Sequence, residues 1–209
     1  MLFLGCEFLL LVEIFMSKAK KTRQQILEVA LKMATSTSLN DLTIGSLAVA
    51  VDMSKSGLFS HFKSKENLQL AVLQYAHDLF REIVTIPVLE IPSPLERLIQ
   101  VCDNWLGWYE SQAKTCIYIS ASVEFDDQPG LVHDKVADDL AKWLSFLIAT
   151  VQAAIDEKEL KPDTDAKQFV YELYSLYLGS QSMIWVGFED TSHNRFKLAL
   201  TSLITRVRS

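Results

Sequence analysis

The sequence predicts an all-α protein: an N-terminal three-helix domain with a helix-turn-helix, followed by a larger C-terminal helical domain. Three observations carry that expectation. Only 7 glycines and 5 prolines occur among 209 residues, and long β-branched runs are scarce, so few positions oppose a helix. Apolar residues recur at three- and four-residue spacing from Arg23 almost to the C-terminus, the period of helices with buried faces. Two short helical segments stand three residues apart early in the chain, the spacing of a helix-turn-helix.

The elements follow in order. The first sixteen residues, MLFLGCEFLLLVEIFM, are apolar but shorter than the ~20 residues a membrane-spanning helix needs. They carry Glu7 and Glu13 and lack the basic start and small-residue cleavage site of a signal peptide, so they read as an extension, with Met16 as an alternative start. The first helix begins at Arg23, presents Ile26, Val29, Ala30 and Met33, and ends in the polar cluster TSTSLND. Thr43 then caps TIGSLAVAV, whose apolar face is Ile44, Leu47, Ala48 and Val51. DMS is the turn, with Asp52 where the chain bends sharply, a left-handed position that glycine usually fills and Asp tolerates. KSGLFSHF is the second short helix; its Leu58 and Phe62 return to a core with Ile26, Ala30 and Leu47. Ser64 caps a long helix running to Pro87.

VLEIPSPLE is a proline-rich linker that closes on a helix start, with Ser93 as cap, Pro94 at the first helical position and Glu96 completing a capping box. The next stripe is Leu95, Leu98, Ile99, Cys102, Trp105, Leu106 and Tyr109. TCIYISASVEF fits a strand or a buried helix by period, and its neighbours favour helix. After the turn DDQPG, a long helix carries Val136, Leu140, Trp143, Leu147 and Val151 and ends near Leu160. Residues 165–188 are apolar along two lines, Phe169, Leu173, Leu176 and Ile184 on one, Val170, Tyr174, Tyr177 and Gln181 on the other. A helix apolar on two sides is buried on two sides, one of them against a partner chain. The last helix carries Phe196, Leu200, Leu203, Ile204 and Val207. The expected divisions are 1–16 as extension, 17–66 as helix-turn-helix domain and 67–209 as C-terminal domain.

Charge is distributed unevenly along this plan. The formal net charge is -6, yet residues 17–65 hold eight Lys/Arg against three acids, while 66–209 hold twelve against twenty-one. A basic front on an acidic protein points to a polyanion as its partner. Cys6, Cys102 and Cys116 are widely spaced with no CxxC pair, which argues against a disulfide framework or zinc site and for a reducing, cytoplasmic setting. No glycine-rich phosphate loop, HExxH or GxSxG occurs, so the sequence implies neither catalytic residue nor cofactor and no membrane attachment.

The chemistry concentrates in SKSGLFSHFKSKENL, Ser54–Leu68. In a helix-turn-helix the second helix enters the DNA major groove. Here Gly57 and the small Ser56 and Ser60 permit close approach to a duplex, while their hydroxyls and Lys55 can donate to phosphates. The free N–H groups at the start of the following helix form a phosphate site that Lys65 reinforces. His61 either meets phosphate or packs beside Phe62.

The stretch ILEVALKMATSTSLNDLTIGSLAVAVDMSKSGLFSHFKSKENL resembles the DNA-binding domain of the TetR repressor family, and EFDDQPGLVHDKV is similar to one subgroup of these regulators. The resemblance implies that Thr43, Ser54 and Phe59 join Lys55, Ser56, Gly57, Ser60, His61 and Lys65 on the DNA face. It also implies a homodimer, here formed through residues 165–207, a ligand pocket in the C-terminal domain, and repression lifted by a small molecule. Three positions depart from the family pattern: Phe59 stands where an aromatic with a hydroxyl is usual, Asp52 replaces a turn glycine and Val51 an alanine. Candidate ligand contacts are Trp105, Trp108, Tyr109, Cys116, Tyr118, Phe125, Trp143, Phe146, Tyr174 and Tyr177, a lining that favours a largely hydrophobic effector. Two alternatives stay open: an all-helical enzyme or metal protein built on Glu124, Asp126, Asp127, His133 and Asp134, and a dimer of this fold that does not bind DNA.

Overall fold

The computed structural model describes residues 22–111 and 116–209, without the side chains of 109–111 and 189–193. Its elements are helices: α1 (22–36), then α2 (Ile44–Ala50), α3 (Lys55–Phe62), α4 (Lys65–Phe80), α5 (Pro94–Ser111), α6 (Ile117–Glu124), α7 (Leu131–Asp156), α8 (Ala166–Trp185) and α9 (Glu189–Val207). Chain contacts divide these into two compact units. The first comprises the described parts of Met1–Leu79 and Gln112–Ala137, the second Phe80–Ser111 and Asp138–Ser209.

In the first unit three successive helices, α2, α3 and α4, start on side-chain caps. The Thr43 hydroxyl accepts the Ser46 N–H, and Ser46 returns the bond to Thr43, a reciprocal capping box. Ser54 accepts the Gly57 N–H at 3.1 Å, and Ser64 accepts the Asn67 N–H at 3.0 Å. Each such cap stabilises its helix by about 1 kcal/mol. Asp52 does adopt the left-handed backbone, φ 52°, while the Val51 N–H closes α2 on the Leu47 carbonyl. Lys63 is left-handed too, φ 67°, and this lets α4 begin with only Lys63 and Ser64 between it and α3. Ile26, Ala30, Leu47, Leu58 and Phe62 form the core, with the Arg23 guanidinium 5.0 Å above the Phe62 ring. On α1 the buried line is Ile26, Leu27, Ala30, Leu31 and Ala34. Val29 and Met33 are only half-buried, because the helix packs about one position round from the stripe expected.

In the second unit two helix ends differ from expectation. α4 stops at Phe80 instead of reaching Pro87; Arg81–Thr85 widens to a π turn and Ile86–Val88 tightens to a 3-10 turn. Asn104 donates to the Val84 carbonyl at 3.2 Å, pairing one acceptor that the irregular turn presents. α7 ends at Asp156, four residues early, where Lys158 turns left-handed at φ 61°. The chain leaves the helix so that Leu160 can bridge to Arg208 and the Lys161 N–H can reach the Val207 carbonyl. α5 begins as expected on Ser93, whose hydroxyl accepts the Glu96 N–H at 3.1 Å. α8 begins on Asp165, which accepts from Lys167 and Gln168. α6 is the helix that TCIYISASVEF favoured.

Candidate nucleic-acid interface

The start of α3 is built for exposure on one side and burial on the other. Leu58 and Phe62, four residues apart, are buried; Lys55, Ser56, Phe59 and Ser60 are exposed, and Gly57 and His61 half-buried. A side chain at Gly57 would place its Cβ 3.0 Å from the Ser54 hydroxyl, so glycine keeps both the cap and the close approach. The Ser60 hydroxyl donates to the Gly57 carbonyl at 2.6 Å. His61 lies 6.2 Å from the Phe62 ring, and Phe59 projects with about half its surface exposed, 51%. Thr43 and Ser54 occupy the two caps on which α2 and α3 start, and Lys65 opens α4, where its ammonium lies 3.4 Å from Asn40 Oδ1. The nine expected DNA-facing residues thus all belong to the described first unit, clustered on α3 and on the starts of α2 and α4.

The expected ligand contacts include residues of both units. Trp105, Trp108, Trp143, Phe146, Tyr174 and Tyr177 meet in the second unit. Trp105 stacks on Tyr177 at 3.7 Å and on Tyr174 at 6.0 Å, and packs edge-on to Trp143 at 4.9 Å. Phe146 stacks on Trp143 at 5.8 Å. Cys116, Tyr118 and Phe125 are buried residues of the first unit, and the Tyr109 side chain lies outside the described residues.

Three further residues belong with these and were not among the expected ligand contacts. Phe80, the last residue of α4, packs edge-on to Trp108 and Trp143 at 5.6 and 5.0 Å. Phe196 of α9 meets Tyr177 at 6.5 Å. Gln181 lies on the same α8 line as Tyr174 and Tyr177, and both its amide atoms are buried without a hydrogen-bond partner; the Trp143 indole N–H is in the same condition. The Gln181 signal was its position on an apolar line, where a lone amide is out of place. A cleft of about 230 Å³ lies elsewhere in this unit, lined by residues including Asp163, Thr164, Asp165 and the paired Glu172 and Arg206. Hydrogen bonds from Gln168 and Arg206 hold the Glu172 carboxyl below its usual range. Cys102 is a buried thiol, which its burial, helped by the Asp103 carboxylate, pushes far above the ordinary range; such a thiol is a poor redox sensor.

The acidic residues after α6 do not form one site. Glu124 faces the turn between α1 and α2, accepting from the Ser38 hydroxyl at 3.0 Å and the Asn40 N–H at 2.9 Å. His133 contacts its neighbour Asp134 at 3.0 Å, and Asp126 and Asp127 are exposed. Among the described residues no three His, Cys, Asp or Glu side chains converge as metal ligands, and no helix is long and apolar enough to cross a membrane.

An all-helical chain whose capped helix-turn-helix offers small, basic and hydroxyl side chains is, as a class, a DNA-binding helix-turn-helix protein. Comparison with known proteins gives the family. Residues 26–72 match the model for bacterial regulatory proteins of the tetR family, and residues 94–199, half the chain, match the tetracyclin repressor-like C-terminal domain. The chain belongs to the TetR family of transcriptional regulators. It is 23% identical over 195 residues to the HTH-type transcriptional regulator SrpR of Pseudomonas putida, covering 92% of this chain and 88% of that one. A TetR regulator from Chloroflexus aurantiacus J-10-FL superposes with a TM-score of 0.80 at 22% identity, over 92% of this chain and 98% of the other. AibR, solved in complex with isovaleryl coenzyme A and operator DNA, superposes with a TM-score of 0.66 at 22% identity, over 89% and 98%.

Proposed function

We propose that this regulator is a cytoplasmic homodimeric repressor that binds operator DNA through α3 and releases it when a largely hydrophobic small molecule enters the second unit. The observation that carries the DNA half is the split of α3 into a buried pair, Leu58 and Phe62, and an exposed face of Lys55, Ser56, Phe59 and Ser60. Small residues allow main chain to approach base edges, while Lys55 and Lys65 meet phosphates. Thr43, Ser54, Gly57 and His61 complete the contact set, and AibR provides a case of this fold bound to an operator.

The dimer half is supported by an apolar stripe at seven-residue spacing on α8. Tyr171 is 70%, Leu178 36% and Trp185 88% exposed, beside α9 with Leu198 at 68%. Side chains of this size left in water along one line are a surface awaiting a partner, and α8 with α9 pairs with its own copy as a four-helix bundle. The effector half is supported by the aromatic cluster. Its two polar groups without partners, the Trp143 N–H and the Gln181 amide, set the chemistry: an apolar, ring-bearing molecule carrying an acceptor and an amide-like edge. α4 starts at Lys65 and contributes Phe80 to that cluster, so an effector that moves Phe80 acts on the helix that carries the phosphate-facing lysine. Coupling of ~1–3 kcal/mol corresponds to a 5- to 150-fold loss of operator affinity.

The test is to select an operator from a random duplex library with the full chain, then titrate it against salt. Binding should weaken linearly in log–log form with a slope of roughly -0.9 per neutralised phosphate, to a pseudo-palindrome with half-sites about 34–36 Å or a multiple apart. Recovery of no sequence, together with a monomer in sedimentation at micromolar concentration, would sink the reading.

A further inference from the structure

We infer that Glu124 is a positioning residue for operator binding: from the end of α6 its carboxylate clamps the turn that enters the helix-turn-helix and thereby sets Lys65. This rests on the DNA-binding reading above. Glu124 lies within residues 94–199, matched by the C-terminal family model, whereas 26–72 are matched by the DNA-binding model. Its packing ignores that border, because the described residues 116–137 cluster with those of 22–79.

The clamp acts on a short turn from two sides. One oxygen, Glu124 Oε2, accepts both the Ser38 hydroxyl and the Asn40 N–H. From the other side the buried Gln69 of α4 donates its amide to the Leu39 carbonyl at 2.9 Å. Ser38 in turn accepts the Asp41 N–H at 3.2 Å. The turn between α1 and α2 is therefore fixed at three successive residues, two of them by the same carboxylate. Two routes lead on to DNA. Three residues after Asn40 comes Thr43, the cap on which α2 starts. More directly, Asn40 offers its side-chain oxygen to the Lys65 ammonium, so the atom that holds Asn40 also settles where that ammonium rests.

The charge of Glu124 makes the inference testable by sign. A carboxylate near a polyanion opposes binding by simple electrostatics, so removing it should tighten association with any duplex if charge is all that matters. If it positions the head, removing it should weaken operator binding and leave non-specific binding alone. Glu124→Gln keeps the shape and a weaker acceptor. In the full-length protein at fixed salt, measured by fluorescence anisotropy, the selected operator should bind about tenfold more weakly, the scale of a lost charge-assisted hydrogen bond. A scrambled duplex of equal length should bind as before or slightly tighter. Hydrogen exchange at the Asn40 amide should accelerate, while the rest of α1 stays protected.

Ser38→Ala, a milder change, covers the case in which Glu124→Gln does not fold. It should weaken operator binding in the same direction, and the double variant should be no worse than Glu124→Gln alone. Operator affinity equal to or above wild type in both variants overturns the inference while leaving the regulator reading intact. A wild-type chain that selects no operator removes both.

Discussion

In the head formed by α1–α4, Thr35 and Gln69 are buried and both are hydrogen-bonded, Thr35 to the Leu31 carbonyl at 3.1 Å and Gln69 to that of Leu39 at 2.9 Å. In the second unit the Trp143 N–H, the Thr164 hydroxyl and both amide atoms of Gln181 are buried with no such partner. The cores differ in kind as well. The core of α1–α4 packs aliphatic residues around Phe62, whereas the second unit packs tryptophans, tyrosines and phenylalanines on one another, some edge-on and some stacked. An unsatisfied buried polar group costs about 1–3 kcal/mol, and a protein tolerates that where another molecule supplies the missing bond. A finished core suits a head that must present one rigid face to DNA. An unfinished one suits a unit that must respond.

Four changes probe that contrast, from the largest expected effect to the smallest. Gly57→Leu should abolish operator binding, more than a hundredfold, as the side chain blocks groove approach and displaces the Ser54 cap, which costs about 1 kcal/mol; the helical circular-dichroism signal should persist. Binding that survives would move the reading face away from Gly57. Leu178→Glu should yield a monomer in sedimentation and weaken operator binding by about a hundredfold, since two half-sites no longer act together. A dimer that persists would place the partner surface elsewhere. Lys65→Ala should weaken binding to all sequences and flatten the log–log salt slope by about one unit; an unchanged slope would remove Lys65 from the phosphate contacts. Gln181→Leu should raise the melting temperature of the ligand-free protein by about 2–4 °C, the shift expected for roughly 1 kcal/mol in a chain of this size, while abolishing the response to any effector that bonds this amide. A lower melting temperature would mean that the amide is already satisfied in solution.

Much of the head was legible because its signals are local. Thr43, Ser54 and Ser64 announce helix starts within three residues, and Asp52 marks the left-handed turn by type. Leu58 and Phe62 declare the buried face of α3 at the spacing of one helical turn. Lys63 shows the limit of such reading. Lysine carries no preference for φ 67°, and only the demand that α4 start at once forces it there. Val29 and Met33 show another: a helix's apolar stripe indicates a face to within about one residue, and its neighbours choose the rest.

Helix type, cap position, the helix-turn-helix and the split of α3 into a buried and an exposed face were determined by the sequence alone, because each depends on residues within about one turn of one another. Tertiary structure alone decided which distant groups meet. Glu124 looked like one of a cluster of acids until folding set it 84 residues back along the chain against Asn40. Phe80 looked like the middle of a helix until the π turn placed it between Trp108 and Trp143. Gln181 gained its missing bonds as a feature only once the aromatic line around it was buried. Hydrogen bonding and burial between remote segments leave no period in the sequence, since any residue of suitable chemistry serves wherever packing brings it.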